Sequence, residues 1–248
     1  MKTLRCRAVV KSFNGVRALS DVSLEFPAGI TAIIGPNGAG KTTLLNILTG
    51  FSQPDSGNCY WGEQVICGLQ PHYIVGLGIA RTFQELRLIS QMSVLEHLLA
   101  AFPNQRGERL LDALMRIRVA EVEKQNRAHA ATILSMFGLG NKSAEMAGEI
   151  SYGEQKLLSL ACCFATDAQI LLLDEPVAGV HPDMALRILG HLQELRQAGR
   201  TVVFIEHDLT AVRKVADFVI LLDEGKAVAQ GPPAQVFERP EILEAYFE

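Results

Sequence analysis

Positive charge is not in excess in this sequence of 248 residues. It has 23 lysines and arginines against 27 aspartates and glutamates, which gives a formal net charge of −4. A protein whose main ligand is nucleic acid usually carries a basic face. The charge balance therefore argues against DNA or RNA as the principal partner.

Cysteine is also scarce, and its spacing is uninformative. The five cysteines form an odd set without C-x-x-C spacing, so neither a disulfide framework nor a zinc site is indicated. A reducing cytoplasm fits this usage best. These cysteines are Cys6, Cys59, Cys67, Cys162 and Cys163.

Long apolar runs are missing too. The longest, from 157 to 173, is broken by Thr166, Asp167 and Gln169, and it falls short of the roughly 20 residues that span a bilayer. The amino terminus alternates apolar and polar residues, so we expect no signal peptide. If the protein works at a membrane, other chains must cross it.

The residues that are present alternate between strand and helix patterns. Residues 4–34 show the two-residue period of β-strands, a glycine-rich loop follows, and 41–49 has helical periodicity. After 151, short hydrophobic strands alternate with amphipathic helices. This pattern predicts an α/β fold with a mostly parallel sheet covered on both faces, together with an N-terminal antiparallel β part. From 93 to 137 the period is helical, which predicts an inserted helical part.

The sequence Gly-Pro-Asn-Gly-Ala-Gly-Lys-Thr at 35–42 matches G-x-x-x-x-G-K-[ST] at every position. In this P-loop motif, backbone N–H groups cradle phosphates, Lys41 reaches the outer phosphates, and the Thr42 hydroxyl can ligate Mg²⁺. The alternative is an ordinary glycine-rich turn, but the strand and helix that the motif requires flank it here. The predicted nucleotide-binding residues in this segment are Gly35, Pro36, Asn37, Gly38, Ala39, Gly40, Lys41, Thr42 and Thr43.

Two acids end a strongly apolar stretch, Ile-Leu-Leu-Leu-Asp-Glu-Pro. Asp174 follows the apolar residues, so its carboxylate should emerge at the carboxyl end of a buried strand, where ligands collect in open α/β sheets. It is a candidate metal ligand. Glu175 beside it is a candidate general base that polarises a water for attack on the γ-phosphate. The alternative is that both acids only cap the segment before Pro176.

Two further polar residues are weaker candidates. His207 follows another apolar strand and is a candidate contact for the γ-phosphate or the attacking water, although a surface histidine is the plainer reading. Gln84 is a candidate ligand for the metal or a water, but a lone glutamine carries little information.

Ser151 and Glu154 form the S-x-x-E pattern of a helix capping box. A helix start with Gly153 in its first turn also directs free N–H groups and the positive end of the dipole outward, which suits a phosphate. The sequence leaves both interpretations open at this point.

Taken in order, GPNGAGKTT, RTFQ, SYGEQ, ILLLDEP and FIEHD resemble the motifs of ATP-binding subunits of ABC transporters. The resemblance covers essentially the whole chain. It implies ATP and Mg²⁺ as ligands, with Thr42, Gln84 and Asp174 on the metal side. It implies roles in catalysis for Lys41, Glu175 and His207. It also implies a single domain, with a nucleotide-binding core at about 1–84 and 158–248 and a helical subdomain at about 85–157.

The resemblance also implies a paired arrangement of two such chains. Ser151 and Gly153 would then donate to a phosphate held by the partner's loop, while Glu154 braces the helix start beside that nucleotide. An aromatic residue that stacks on adenine is expected in the first strands, and Phe13 is in that place. Packing of Phe13 in the β core is the alternative.

Three segments narrow the resemblance: RTFQELRLISQMSVLEHLL, SYGEQ and PVAGVHPD. They are similar to segments of ATPases that serve branched-chain amino acid importers. The resemblance implies two integral membrane permease subunits, a second ATP-binding subunit and an extracytoplasmic binding protein. It places the chain in the cytoplasm, peripheral on the inner face of the plasma membrane. The apolar segment 86–98 is a candidate groove for a helix of the permease, or else internal packing.

Some positions depart from the family pattern, and several alternatives remain. Tyr152 and Glu154 replace a Gly and the Gln of the usual L-S-G-G-Q signature, and His181 replaces an expected Asp. Importers of urea or short amides and exporters of lipopolysaccharide are alternative settings. A soluble ABC ATPase acting on DNA or ribosomes, and a P-loop kinase or GTPase, are the remaining rivals.

Overall fold

The computed structural model describes residues 2–103 and 116–238, with the backbone alone from 116 to 120. Part of the predicted helical stretch, 104–115, and the carboxyl terminus lie outside the described residues. The described chain contains two β-sheets and a set of helices packed against them.

The first sheet has four antiparallel strands in the order β2-β1-β4-β5. Leu4 pairs with Phe26 on one side and with Trp61 on the other, so β1 lies between β2 and β4. Alternating apolar residues turn one face of this sheet inward. Its strands are β1 (Leu4–Phe13), β2 (Val16–Phe26), β4 (Ser56–Trp61) and β5 (Gln64–Val65).

The second sheet has six strands in the order β10-β9-β3-β8-β7-β6, and all neighbours except β10 and β9 run parallel. Every residue of β3, β7 and β8 is buried, as expected for parallel strands covered on both faces. The strands are β3 (Ile30–Ile34), β6 (Ile79–Arg81), β7 (Ile170–Asp174), β8 (Thr201–Ile205), β9 (Phe218–Asp223) and β10 (Lys226–Gly231).

The helices surround the second sheet. Helices α3, α4 and α5 contact one another. α3 and α4 lie within 93–137, the stretch with predicted helical periodicity, and α5 begins after it. The helices are α1 (Lys41–Leu48), α2 (Pro71–Gly76), α3 (Val94–Ala101), α4 (Arg116–Met136), α5 (Tyr152–Ala165), α6 (Pro182–Gln197), α7 (Leu209–Val215) and α8 (Pro233–Phe237), with a 3-10 turn at Gly140–Lys142. No helix among the described residues is both long and apolar enough to cross a membrane.

The buried side chains form two hydrophobic clusters, one on each face of the parallel sheet. Ile33 and Leu172 belong to the cluster shared with the antiparallel sheet and α1, whereas their neighbours Ala32 and Leu173 belong to the cluster shared with the helical insertion. Successive strand residues point to opposite faces, which explains this division. The predicted α/β class with a mostly parallel sheet is therefore confirmed, and the carboxyl ends of the parallel strands form one edge.

Candidate functional site

The glycine-rich loop leaves β3 and enters α1 in a conformation that excludes side chains at two positions. A Cβ atom on Gly35 would lie 1.9 Å from the carbonyl oxygen of Leu222, and one on Gly40 would lie 2.4 Å from that of Ala18. Gly40, with φ of +94°, is also the N-cap of α1. Glycine therefore permits the close backbone approach and the left-handed turn that the loop requires.

Lys41, the first residue of α1, directs its amine back into the loop. The Nζ atom donates hydrogen bonds to the carbonyl oxygens of Gly35 at 2.7 Å and Pro36 at 2.8 Å. Burial lowers the pKa of this amine, and the charges of Glu175 and Asp174 oppose that shift. The Lys41 amine thus lies inside the loop that was predicted to bind phosphate.

Asp174 ends β7 with its side chain almost fully buried. One carboxylate oxygen accepts a hydrogen bond from Arg81 at 3.0 Å, and the other, Oδ1, is buried without a hydrogen-bond partner. Burial raises the pKa of this carboxyl, and Arg81 opposes the shift. An unpaired buried oxygen is costly, so Oδ1 fits the role of a ligand to a cation or water.

The carboxylate of Glu175 lies between two other predicted residues. Oε2 accepts a hydrogen bond from Gln84 Nε2 at 3.0 Å, and Oε1 is 3.0 Å from Nε2 of His207. The residue has φ of +50°, a left-handed conformation that is uncommon for any residue with a Cβ. The structure therefore brings together three residues that are far apart in the sequence, each just beyond the end of a different parallel strand.

The loop residues 37–43 and the side-chain cluster around Glu175 border a cleft of about 220 Å³, whereas Asp174 is not among the residues that line it. The cleft joins the glycine-rich loop to the Gln84, Glu175 and His207 cluster. Backbone N–H groups, one buried lysine and a carboxylate that can accept a proton are the chemistry needed to bind and cleave a phosphoanhydride. The lining residues are Ala18, Asn37, Gly38, Ala39, Gly40, Lys41, Thr42, Thr43, Gln84, Glu175 and His207.

Magnesium fits this cleft only together with phosphate oxygens. No group of three or more His, Cys, Asp or Glu side chains able to hold a metal occurs in the part of the chain that is described. Thr42 lines the cleft, and Asp174 offers an unpaired oxygen. Mg²⁺ favours such oxygen ligands and is commonly held by one or two protein groups plus substrate phosphates.

The predicted capping box is present at the start of α5. The Ser151 amide donates to Glu154 Oε2 at 2.9 Å, and the Glu154 amide donates to Ser151 Oγ at 3.4 Å. Burial tends to raise the pKa of Glu154, but the Ser151 hydrogen bonds and nearby Lys142 outweigh it, so the pKa is lowered. Neither Ser151, Gly153 nor Glu154 lines the cleft of its own chain.

Phe13 ends β1 with 47% of its surface exposed, so the alternative of packing in the β core is wrong. The Lys11 amine lies 5.2 Å from the ring centroid. His181, the departure noted after β7, is the N-cap of α6, and its Nδ1 accepts a hydrogen bond from the Asp183 amide at 3.4 Å. Both residues lie outside the 220 Å³ cleft.

Three charged residues near the cleft were missed by the sequence reading. Arg81 pairs with Asp174, the Lys156 amine donates to the carbonyl oxygen of Glu175, and Glu206 accepts hydrogen bonds from two backbone amides beside it. Arg81 and Glu206 lie within the RTFQ and FIEHD segments, and Lys156 directly follows SYGEQ. A charge at such a position was the available signal.

Comparison with known proteins gives the family. Residues 19–178 match the ABC transporter family. The chain is 37% identical to the high-affinity branched-chain amino acid transport ATP-binding protein LivG of Escherichia coli K12, covering 98% of this chain and 96% of LivG. It is 34% identical to the corresponding protein BraF of Pseudomonas aeruginosa, with the same coverage of both chains.

A solved structure is similar over almost the whole length. The ADP conformation of an ATP-binding cassette of an ABC transporter matches with a TM-score of 0.85 and 33% identity, covering 100% of this chain and 99% of the other. Fold, motif geometry and relatives agree. The chain therefore belongs to the ABC transporter family, as one of its ATP-binding cassettes.

Proposed function

We propose that this chain binds and hydrolyses ATP with Mg²⁺ to power an importer, and that the cargo is a branched-chain or other hydrophobic amino acid. The main support for ATP hydrolysis is the position of the Glu175 carboxylate. It contacts Gln84 and His207 at the edge of the cleft that the phosphate loop lines. The proposed cargo is based on the similarity to LivG and BraF, which are named for branched-chain amino acid transport.

The phosphates would bind in the glycine-rich loop. Residues 37–43, which include the first turn of α1, line the cleft, and the Lys41 amine can exchange its loop carbonyl partners for phosphate oxygens. The exposed ring of Phe13 is available for the adenine. We propose Gly35 to Thr43 and Phe13 as the residues that hold the nucleotide.

Thr42 and Asp174, with Gln84 as a further oxygen donor, would hold Mg²⁺ beside the outer phosphates. When bound, the ion neutralises charge that develops on the phosphate oxygens. Arg81 occupies one oxygen of Asp174, which leaves Oδ1 as the free one. The carboxylate is thereby held in one orientation by a residue from the neighbouring strand.

Glu175 is proposed as the general base. Its carboxylate would accept a proton from a water that attacks the γ-phosphate, while Gln84 and His207 orient the carboxylate and the water. A general base contributes roughly 10² to 10⁴-fold to a rate. Glu175→Gln should therefore reduce kcat for ATP hydrolysis by a factor in that range.

The test measures phosphate release and nucleotide affinity in the same preparations. Glu175→Gln should retain binding of a fluorescent ATP analogue, because the phosphate loop is unchanged. Glu121→Gln, an exposed glutamate on α4, is the matched control and should keep full activity. Undiminished hydrolysis by Glu175→Gln would exclude the proposed base.

A second ATP-binding subunit, identical or homologous, completes the proposed site. Ser151 is exposed at the start of α5, and neither it nor Gly153 faces the cleft of its own chain. We propose that Ser151 and Gly153 donate to the γ-phosphate of the partner, with Glu154 as the brace of the cap. Binding of two ATP molecules would then favour the closed pair over separate chains.

Light scattering tests the pairing. The Glu175→Gln variant, which retains its ATP, should become a dimer when ATP and Mg²⁺ are added, and Ser151→Ala in that background should weaken the dimer. Lys226→Ala on β10 is a control on an exposed residue. A persistent monomer at saturating ATP would count against the pairing of identical chains.

The segment 86–98 divides into two parts. Val94 and Leu98 are buried in the hydrophobic cluster, so this half of the predicted groove is internal packing. Ile89 remains 55% exposed, and Leu88 is only partly buried. We propose that 86–92 contacts the permease of the transporter.

Coupling can be measured in reconstituted vesicles. Ile89→Glu should abolish cargo uptake while basal ATP hydrolysis persists, because the residue lies outside the nucleotide cleft. Val65→Glu, on the edge strand β5, introduces the same charge at a similarly exposed site and should leave both activities intact. Full uptake by Ile89→Glu would rule out this contact.

We further propose a nucleotide-binding core at 1–84 and 158–248, a helical subdomain at 85–157, and a cytoplasmic position on the inner face of the plasma membrane.

Co-purification from solubilised membranes tests whether the chain belongs to an importer complex. Two polytopic subunits and a second ATPase would support the importer, with the extracytoplasmic binding protein supplying cargo. Recovery of a DNA or ribosome complex would overturn it. Uptake assays with leucine, urea and short amides would separate the cargo alternatives.

A further inference from the structure

Two buried charged residues flank the proposed catalytic base without belonging to the nucleotide cleft. Lys156, on the second turn of α5, is 7% exposed, and Glu206, directly after β8, is 2% exposed. Burying a charge is unfavourable unless it is paired and hydrogen-bonded. Both residues therefore call for a structural or functional reason.

Their hydrogen bonds go to backbone groups around Glu175. The Lys156 amine donates to the carbonyl oxygen of Glu175. Glu206 accepts from the amide of Val177 at 2.9 Å and from the amide of His207 at 3.2 Å. The two side chains thus hold the turn after β7 from both sides and the backbone of His207 as well.

Glu175 has a backbone conformation that needs such support. Its φ of +50° lies in the left-handed region, where a residue with a Cβ is disfavoured unless the surroundings fix it. Besides the Lys156 bond, its amide donates to the carbonyl oxygen of Ile205 at 3.1 Å. Both backbone groups of the residue are therefore engaged, one by a neighbouring strand and one by a buried cation.

The two charges also stabilise each other. Burial lowers the pKa of Lys156 and raises the pKa of Glu206, and each group's charge opposes the shift of the other. Asp174 and Glu175 add further negative charge near the amine. These negative charges partly offset the desolvation of the Lys156 amine, which donates to the Glu175 carbonyl oxygen.

We propose that Lys156 and Glu206 are positioning residues, which hold the backbone of Glu175 and His207 so that the Glu175 carboxylate stands between Gln84 and His207. Lys156 lies on the same helix as the Ser151 cap, five residues further along the chain. A shift of α5, when its first turn meets a phosphate, would therefore act directly on the turn that carries Glu175. This inference rests on the proposed ATPase function and names a residue pair that supports its base.

Steady-state kinetics of Lys156→Met, Lys156→Arg and Glu206→Gln test the proposal. A misplacement of about 1 Å costs roughly 100-fold in rate, so kcat of Lys156→Met should fall on that order. KM for MgATP should change less than about twofold, because the phosphate loop is untouched. Lys156→Arg, which keeps a buried cation, should recover part of the loss. Lys214→Met on α7 removes an exposed lysine and should behave as wild type.

A second measurement separates positioning from general structural damage. In single-turnover hydrolysis, Lys156→Met should cost little in a Glu175→Gln background, because a residue that acts through Glu175 has nothing left to position. Equal costs in both backgrounds, or a loss of ATP affinity matching the loss of kcat, would overturn the inference. If Lys156→Met does not fold, Glu206→Gln in the same two backgrounds gives the same decision. A wild-type chain without hydrolysis would instead refute the proposed function itself.

Discussion

Arg81→Met tests how the metal-side carboxylate is held. The Arg81 guanidinium joins two elements of the site: it donates to Asn46 Oδ1 at 2.7 Å and Thr49 Oγ1 at 3.1 Å at the end of α1, and to Asp174 Oδ2 at 3.0 Å at the end of β7. Methionine keeps an unbranched apolar side chain like the stem of arginine, and it removes the positive charge and the N–H donors. Asp174 then remains as a buried carboxylate without its cation.

The burial of both partners sets the size of the effect. The side chains of Arg81 and Asp174 are 4% and 2% exposed, so solvent screens their interaction little. Removing one partner of a buried pair typically costs about 3–5 kcal/mol of unfolding free energy. For a chain of this size each kcal/mol lowers Tm by roughly 2–4 °C, so the variant should melt about 6–20 °C below the wild type.

Urea unfolding and thermal melting provide the assay, with a double-mutant cycle as the decisive measurement. In an Asp174→Asn background the carboxylate charge is gone, so Arg81→Met should cost less than it does alone. Arg196→Met breaks an ion pair with Asp217 that is largely exposed, and it should cost less than about 1 kcal/mol. An equal cost of Arg81→Met in both backgrounds, or a cost no larger than that of Arg196→Met, would refute the reasoning.

Three further predictions concern single sites. Ser151→Ala should lower the unfolding free energy by about 1 kcal/mol in urea titration, because it removes the N-cap acceptor of α5; an unchanged midpoint would contradict the capping role. A hydrogen bond from Cys59 lowers the pKa of Cys67, so iodoacetamide should label Cys67 before the other cysteines at pH 7, and labelling of another cysteine first would contradict this. Burial raises the pKa of Cys162 to about 12, so mass spectrometry should find it unlabelled at the same pH. Gly190→Ala, in the interior of α6 with open space around it, should raise the unfolding free energy by about 0.5–1 kcal/mol, and a loss would refute that reading.

Much of the fold followed from apolar patterning. The runs that became β3, β7 and β8 are apolar throughout because both of their faces are buried, and the helices between them show clear periods. Two strands were missed because they carry no such pattern. β6 has only three residues, and β10 is mostly exposed. Such short or edge strands are defined by the neighbour they pair with, which the local sequence does not state.

Buried charge was the hardest part of the site to foresee. From the local sequence, Arg81, Lys156 and Glu206 are expected at the surface, because Arg, Lys and Glu side chains are usually exposed. Their burial becomes evident only when the partners are known, and each partner lies at least 19 positions away in the sequence, apart from the His207 amide next to Glu206. Motif residues are recognisable without partners, which is why the loop and the two acids were predictable and their supports were not.

Strand order explains how the predicted residues meet. β6, β7 and β8 are neighbours in the sheet, and Asp174 pairs with Ile205 in the parallel register. Gln84, Glu175 and His207 come three, one and two residues after these strands end, so all three stand at the same sheet edge. The 3.0 Å contacts of Glu175 with both neighbours follow from that arrangement. Shortening the link between β8 and His207 by one residue would therefore remove a contact that no local change at Glu175 could restore.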